Sequence, residues 1–386
     1  MDYIARKIEK EIIKCHKTFK VVFLGGPRQV GKTTVLKHLA EKYNLSYVTL
    51  DEIEQRERAI KDPVLFLQQF KTPLIIDEIQ YAPKLLSQIK VVVDKSDQNG
   101  RYWITGSQQF SLMKGLQESL AGRVAILNIL GLSTYEKNIK ESNISSLFKE
   151  IFIGGFPIFQ SNEAPNREHY FNSYIQTYLD RDLSDIFGVE KISEFNKFLQ
   201  VCAARTGQIL NTSDLARDSG ISVPTAIDWL GILESTMQIY LLRPYFSNIT
   251  KRIIKAPKLY FLDTGLASYL TKWNSIENLQ AGAMAGAMYE SYIVGEVVKK
   301  YINQGKQPPI YYLRDKEGHE VDLVIEDNGL HLLEMKLSAN LDIEQTKGLN
   351  YYFSRLDIFK SKTIVSLVDR EILTSDGVKY IPYTSI

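Results

Sequence analysis

Residues 26–33 read Gly-Pro-Arg-Gln-Val-Gly-Lys-Thr, the residue types and spacing that cradle phosphate oxygens. Gly26 and Gly31 admit backbone angles closed to other residues, so N–H groups along the loop can turn inward, and the following helix adds its positive end. The expected nucleotide-binding set is Gly26, Pro27, Arg28, Gln29, Val30, Gly31, Lys32, Thr33 and Thr34; Lys32 neutralises the β and γ phosphates and Thr33 offers its hydroxyl to Mg²⁺. Downstream, Leu74-Ile75-Ile76-Asp77-Glu78 sets two carboxylates after an apolar run. Alone, an Asp-Glu pair is more often an ordinary solvated strand end. Behind a phosphate loop it reads as a Walker B pattern, with Asp77 holding Mg²⁺ through water and Glu78 orienting the attacking water as general base. Ile104-Thr105-Gly106-Ser107-Gln108 brings short hydroxyls to a strand's carboxyl end. Thr105 or Ser107 could sense the γ-phosphate there, although Thr-Gly-Ser is also a common turn. Arg123 precedes a further strand, where it could stabilise phosphate charge in the same or a neighbouring subunit; a surface or capping arginine would read the same way.

A second group of chemistry-bearing residues comprises Asp322, Glu334 and Lys336, with Glu290 on a preceding helix. If Asp327-Asn328-Gly329 is a three-residue hairpin loop with Gly329 left-handed, the strands pair about Asn328 and Asp322 faces Glu334. Lys336 then projects from the same face. A two-residue Asn328-Gly329 turn would shift the register and send Glu334 to the other face. In the first case Asp322 and Glu334 can share a divalent cation while Lys336 orients or activates water, as metal-assisted phosphodiester hydrolysis requires. An ordinary cross-strand ion-pair cluster would use the same residues. His319 is expected in a loop and His331 on the face away from the carboxylates, neither with a ligand partner in the sequence.

These residues need elements to position them. Lys20–Leu24 is an apolar, β-branched strand and residues 34–43 have helical spacing; further strands are expected at 46–50, 73–76, 102–105 and 124–130, with amphipathic stretches between. Such alternation implies a parallel sheet covered by helices, over residues 1–140. Gly154-Gly155-Phe156-Pro157 then breaks the pattern, and 141–275 reads as a helical connector followed by helix (211–219), turn at Gly220, helix (223–235) and strands at 237–242 and 258–262, a winged-helix order. The second helix offers Thr225, Asp228 and Glu234 and no Lys or Arg, so its field opposes DNA; Lys251-Arg252 leave a weaker phosphate contact open. Residues 276–386 read helix, three strands, helix, strand, the core order of a restriction-endonuclease-like α/β fold.

Composition narrows the partners. The chain has 386 residues, too many for one ordinary core, and 47 Lys+Arg against 45 Asp+Glu give a net charge of +2, so any nucleic-acid site must be local. Two distant cysteines, Cys15 and Cys202, argue against a disulfide framework or zinc site and suit a reducing cytoplasm. The amino terminus lacks a secretion signal, and the longest apolar runs, such as 151–159, fall far below the ~20 residues a membrane span needs. No membrane association is expected.

The segments GGPRQVGKTT, LIIDEIQYAP, WITGSQQF and SLAGRV together resemble the bacterial and archaeal AAA-type ATPases fused to a C-terminal region of unknown function. Tyr178-Leu179-Asp180-Arg181-Asp182 and Glu320-Val321-Asp322 match the downstream pattern of that family. The resemblance implies ATP with Mg²⁺ as ligands and a sheet in which the strand ending in Thr105 lies between the phosphate-loop and Walker B strands. Two functional classes remain: an ATPase whose nucleotide state controls nuclease-like domains acting on or holding nucleic acid, and a slow switch or protein scaffold with an inert C-terminal fold. Homo-oligomerisation stays open in both.

Overall fold

A computed structural model describes residues 3–106, 109–178, 191–246, 255–355 and 358–386. Two compact units emerge: Met1–Leu132 with Ser235–Met237 and Lys299–Gln307, and Ser133–Glu234 with Gln238–Val298 and Pro308–Ile386.

The first unit runs α1 (Glu9–Thr18), β1 (Val21–Gly25), α2 (Lys32–Tyr43), β2 (Ser46–Thr49), α3 (Ile53–Lys61), α4 (Pro63–Gln68), β3 (Leu74–Asp77), α5 (Lys84–Asp94), β4 (Tyr102–Thr105), α6 (Gln109–Leu120) and β5 (Val124–Asn128). The sheet is parallel throughout, in the order β2-β3-β4-β1-β5. Its central strands β1, β3 and β4 are buried at every residue, which is why they read as continuous apolar runs without alternation. On one side, Val21, Phe23, Leu74, Ile76 and Ile104 pack with Leu85, Ile89 and Val93 of α5 and Leu112, Leu116 and Leu120 of α6. Each such side chain contributes about 1.5–3 kcal/mol by leaving water. Strand β4 lies between β1 and β3, as the resemblance implied. Since all strands point the same way, the phosphate loop, Asp77 and Thr105 emerge together at one sheet edge.

The second unit begins with α7 (Ile144–Ile153), α8 (Arg167–Tyr178), α9 (Ile192–Ala204), β6 (Gln208–Ile209), α10 (Thr212–Ser219), α11 (Val223–Ser235), β7 (Ile239–Leu242), β8 (Lys258–Phe261), α12 (Thr264–Leu270) and α13 (Ile276–Ala281). The Asn211 side chain caps α10, accepting from Ser213 N and Asp214 N, and Gly220 ends it at φ 77°. Strands β6, β8 and β7 form an antiparallel sheet with β8 central. Glu234, expected on the exposed face of α11, is half-buried instead, and burial pushes its carboxyl up. Lys251, Arg252 and residues 179–182 lie outside the described residues.

The unit continues through α14 (Ala285–Ile302), β9 (Ile310–Arg314), β10 (Glu320–Glu326), β11 (Leu330–Met335), α15 (Lys347–Arg355), β12 (Phe359–Ser366), β13 (Ile372–Leu373) and β14 (Val378–Pro382). The expected helix and strand order holds, with β13 and β14 extending the sheet to β13-β14-β12-β11-β10-β9. The segments 141–275 and 276–386, expected as two domains, make direct contacts within this unit. Thr206 and Ser291 hydroxyls meet at 2.7 Å, Tyr312 OH donates to Ala256 O at 2.7 Å, and Pro244 bridges to Tyr312. Among the described residues no helix is long and apolar enough to cross a membrane. Cys15 and Cys202 are both buried and free.

Candidate functional site

The loop after β1 takes the backbone its glycines permit: φ is 139° at Gly26 and 95° at Gly31, with Gln29 also left-handed at 60°. A side chain at Gly26 would overlap the Ile129 carbonyl, so the close approach to the end of β5 requires glycine. Helix α2 starts at Lys32, two residues earlier than its spacing suggested, so its amino-terminal turn follows directly on the loop. Lys32 is 6% exposed, its ammonium donating to Gly26 O at 2.9 Å and Pro27 O at 2.7 Å. Pro27 and Arg28 are half-buried, Gln29 and Thr34 exposed, and Val30 buried.

Asp77 ends β3 at 2% exposure. Its Oδ2 accepts from the Thr33 hydroxyl and from Tyr47 OH, each at 2.7 Å, and its Oδ1 accepts from Glu78 N at 3.1 Å. Burial pushes the Asp77 carboxyl up, while the Thr33 and Tyr47 hydrogen bonds pull it back down. Glu78 leaves the strand in a left-handed conformation, φ 57° and ψ 46°, a strained geometry for a side chain of this kind. Gln80 Nε2 donates to its carboxylate.

Thr105 is fully buried and its hydroxyl donates to Leu24 O at 2.8 Å, so its proton is committed to the β1 backbone. Ser107 lies outside the described residues. Arg123 requires a correction. Val124 pairs with Val21 and Asn128 with Gly25, so Arg123 sits at the sheet edge opposite its own phosphate loop, about 13–17 Å away. There it pairs with Asp94, with Nη2 3.1 Å from Oδ2. A role toward its own nucleotide does not fit this position, whereas the surface or capping arginine that the sequence also allowed matches its bonds to Asp94 and to Ala121 O at 2.9 Å.

Two residues of this site carried no motif. Tyr47, on β2, reaches Asp77 because the parallel register pairs it with Ile75 and sets its side chain toward the Asp77 end. Arg6 is 6% exposed and spans from the phosphate loop to the chain beyond β5, with Nη1 2.8 Å from Val30 O and Nη2 2.7 Å from Leu130 O.

In the second unit the hairpin has the three-residue loop. Leu323 pairs with Leu333 and Glu326 with Leu330, which sets Asp322 opposite Glu334; Asn328 (φ 53°) as well as Gly329 (φ 138°) adopts positive φ. Asp322 and Glu334 are each 8% exposed. Asp322 Oδ2 accepts from Met335 N at 2.8 Å, and Lys336 Nζ donates to Glu334 Oε1 at 2.7 Å. Glu334 Oε2 is buried with no hydrogen-bond partner among the described residues, an orphaned acceptor that fits a cation ligand. Glu290 comes in from α14, its Oε2 3.4 Å from Tyr260 OH. Burial first, then the Asp322 charge, pushes both Glu290 and Glu334 up.

Lys258 and Tyr260 of β8, which no pattern marks, and Glu320 of β10, which the sequence marks only through the family resemblance, complete this cluster. Lys258, 4% exposed, pairs with Glu320. His331 points away as expected, bonding Ser361 Oγ at 2.8 Å. His319, expected without ligand partners, instead lies with Asp315 and Glu317 on an exposed turn, their ligand atoms within 4.8 Å of one another. Its Nδ1 is 3.0 Å from Asp315 and its ring stacks on Tyr351 at 3.6 Å.

Residues 18–138 match a family described as an AAA domain, and residues 144–277 and 285–386 match two families described as domains of unknown function, DUF8612 and DUF4143. Uncharacterized proteins of Mycobacterium bovis and Mycobacterium tuberculosis are each 29% identical over 372 residues, covering 93% of this chain and 82% of theirs. An uncharacterized protein of Methanocaldococcus jannaschii is 22% identical, covering 76% and 70%. Among solved structures, the Walker-type ATPase of Pyrococcus abyssi aligns with TM-score 0.44 at 14% identity, covering 70% of this chain and 96% of that one. The Thermotoga maritima RuvB Holliday junction branch migration motor aligns at 0.28 and 14%, covering 61% and 88%. With TM-scores this low, the AAA-domain match and the phosphate loop carry the nucleotide-binding assignment.

Proposed function

We propose that this chain is an AAA-type ATPase that binds ATP with Mg²⁺ at residues 26–34 and hydrolyses it with Glu78 as general base. One observation carries this reading: the Thr33 hydroxyl and the Asp77 carboxylate, 44 positions apart in sequence, meet at 2.7 Å beside the loop. Lys32 balances the phosphate charge and the α2 N-terminus orients the phosphate oxygens. Mg²⁺ bound with the nucleotide would be held near Thr33 and Asp77 and would supply neutralisation of phosphate charge. Asp77, held by Thr33 and Tyr47, keeps the geometry for its water ligand. Arg123 serves the phosphates of a neighbouring copy in a homo-oligomer, and Ser107 senses the γ-phosphate more readily than Thr105. Glu78→Gln should keep ATP affinity and lose about 10²–10⁴-fold in turnover, whereas Lys32→Ala should lose binding. Native turnover in Glu78→Gln would sink the assignment, and a GTP competition assay checks the base preference.

A second reading concerns the other unit, and the buried Asp322–Glu334 pair with its orphaned Oε2 favours it. Here Asp322 and Glu334 hold a divalent cation with Glu290 nearby, and Lys336 orients water, in a restriction-endonuclease-like site acting on nucleic acid. The metal supplies Lewis acidity toward a phosphodiester. The helix–turn–helix and the β7–β8 strands act as a winged helix that holds a partner, and ATP turnover controls their presentation. Single- and double-stranded DNA incubated with Mg²⁺ or Mn²⁺, with and without ATP, tests this. Uncut substrate throughout favours a nucleotide-dependent switch or scaffold with an inert fold.

A further inference from the structure

Lysine is seldom buried without a reason. Lys258 lies on the central strand of a three-stranded sheet whose four β8 residues are all buried, and its side chain is 5% exposed. Pairing with Leu242 and Ile209 fixes its register, and Tyr260, two residues on, shares its face. That face meets the acidic cluster: Lys258 pairs with Glu320, and Tyr260 OH reaches Glu290 at 3.4 Å. Burial works against the charged amine, yet Asp322, Glu290 and Glu320 together hold Lys258 above its ordinary range. The Tyr312 ring, 5.5 Å from the ammonium, adds a cation–π contact. Lys336 makes its direct ion pair with Glu334 while its charge also acts on Asp322 and Glu290, and Arg314 lies 3.5 Å from Glu320.

We propose that Lys258 is a built-in counter-cation of the acidic site, which a divalent cation must displace from Glu320, Asp322 and Glu290 in order to bind. This rests on reading Asp322 and Glu334 as a cation site. The four carboxylates of this cluster would repel one another strongly in a buried setting, and the two ammoniums let them stay together without metal. Lys336 arises from the local Glu-x-Lys pattern. Lys258 arrives from β8, more than 60 residues earlier, and makes its ion pair with Glu320 rather than Glu334. A divalent ion gains the same carboxylates only by exchange with this ammonium, so the site is tuned toward weak, reversible occupancy.

Mn²⁺ titration of the full chain by isothermal calorimetry, without nucleotide, tests the proposal. Heat surviving in the Asp322→Asn/Glu334→Gln double variant reports sites elsewhere and is subtracted. Lys258→Met should bind Mn²⁺ about tenfold or more tightly at the remaining site, a change of about 1.4 kcal/mol, and Lys258→Arg should bind as the natural chain does. If Lys258→Met fails to fold by circular dichroism, Lys258→Gln keeps the shape and a donor to Glu320 and carries the same expectation. Mn²⁺ binding that depends on Asp322 and Glu334 but is unchanged or weaker without the Lys258 charge overturns the counter-cation alone. No such binding in any variant overturns the cation site together with it.

Discussion

Arg6→Met removes a guanidinium that ties the phosphate loop to the sheet through Val30 O and Leu130 O. Both carbonyls belong to buried residues, at 2% and 4% exposure, so water does not readily replace the lost donors. Each charge-assisted bond of this kind is worth about 1.5–3 kcal/mol. Relief from burying the charge offsets part of that sum, leaving a net loss of about 2–4 kcal/mol. Hydrogen–deuterium exchange of the β1 amides, Val21–Gly25, reads the loss within the first unit alone. Those amides should exchange about 30- to 1,000-fold faster. ATP affinity should weaken in parallel, because the loop loses the brace that fixes Val30 next to the phosphate-facing glycine. Arg6→Lys should restore at most one of the two bonds, since a single ammonium lacks the planar fork. An exchange rate changed by less than about threefold, with unaltered ATP affinity, would refute the bracing role; full rescue by lysine would refute the two-pronged geometry.

Other perturbations separate the parts of each site. Tyr47→Phe deletes a hydrogen bond that pulls the Asp77 carboxyl down, so the acid limb of the ATPase pH–rate profile should move to higher pH; an unmoved limb removes Tyr47 from the site. Gly26→Ala meets both positive φ and the Ile129 carbonyl and should weaken ATP binding more than about tenfold, whereas Gly122→Ala, at φ 75° with open space around it, should cost about 1 kcal/mol and leave the affinity alone. Deleting Asp327 would force a two-residue turn and send Glu334 to the opposite face, so calorimetric Mn²⁺ binding should disappear as in Glu334→Gln while ATP turnover persists.

The features legible in the sequence were those fixed by short-range geometry. The phosphate loop needs only two glycines, a lysine and a threonine between a strand and a helix, and the Asp322–Glu334 facing follows from the length of one hairpin loop. Strand direction also carried information that composition did not. Arg123 precedes β5 in a parallel sheet, which alone sets it at the edge away from the loop. Tertiary packing supplied the rest. Arg6 reaches partners 24 and 124 residues away, and Lys258 joins Glu320 from another sheet, so no local pattern marks either one. The same packing joins residues 141–275 to 276–386: hydroxyl pairs such as Thr206–Ser291 have no periodicity that a sequence displays.

The two aspartates at the centre of these sites are buried to a similar degree, yet they are compensated by different means. Asp77 is held by hydroxyls from Thr33 and Tyr47 and by the Glu78 N–H, all neutral donors that orient a carboxylate without cancelling its charge. In the proposed ATPase its negative potential would remain available to a metal arriving with an anionic nucleotide, whose own charge Lys32 would help to balance. Asp322 accepts one backbone N–H and is flanked by the ammoniums of Lys258 and Lys336. Its charge is already answered inside the fold, so a cation entering there gains only the difference between its own attraction and that of the lysine it displaces. Neutral donors therefore suit a site loaded together with its ligand, and buried lysines suit one that stays closed to free metal until its own cation moves. Removing Lys258 should convert the second kind of site toward the first.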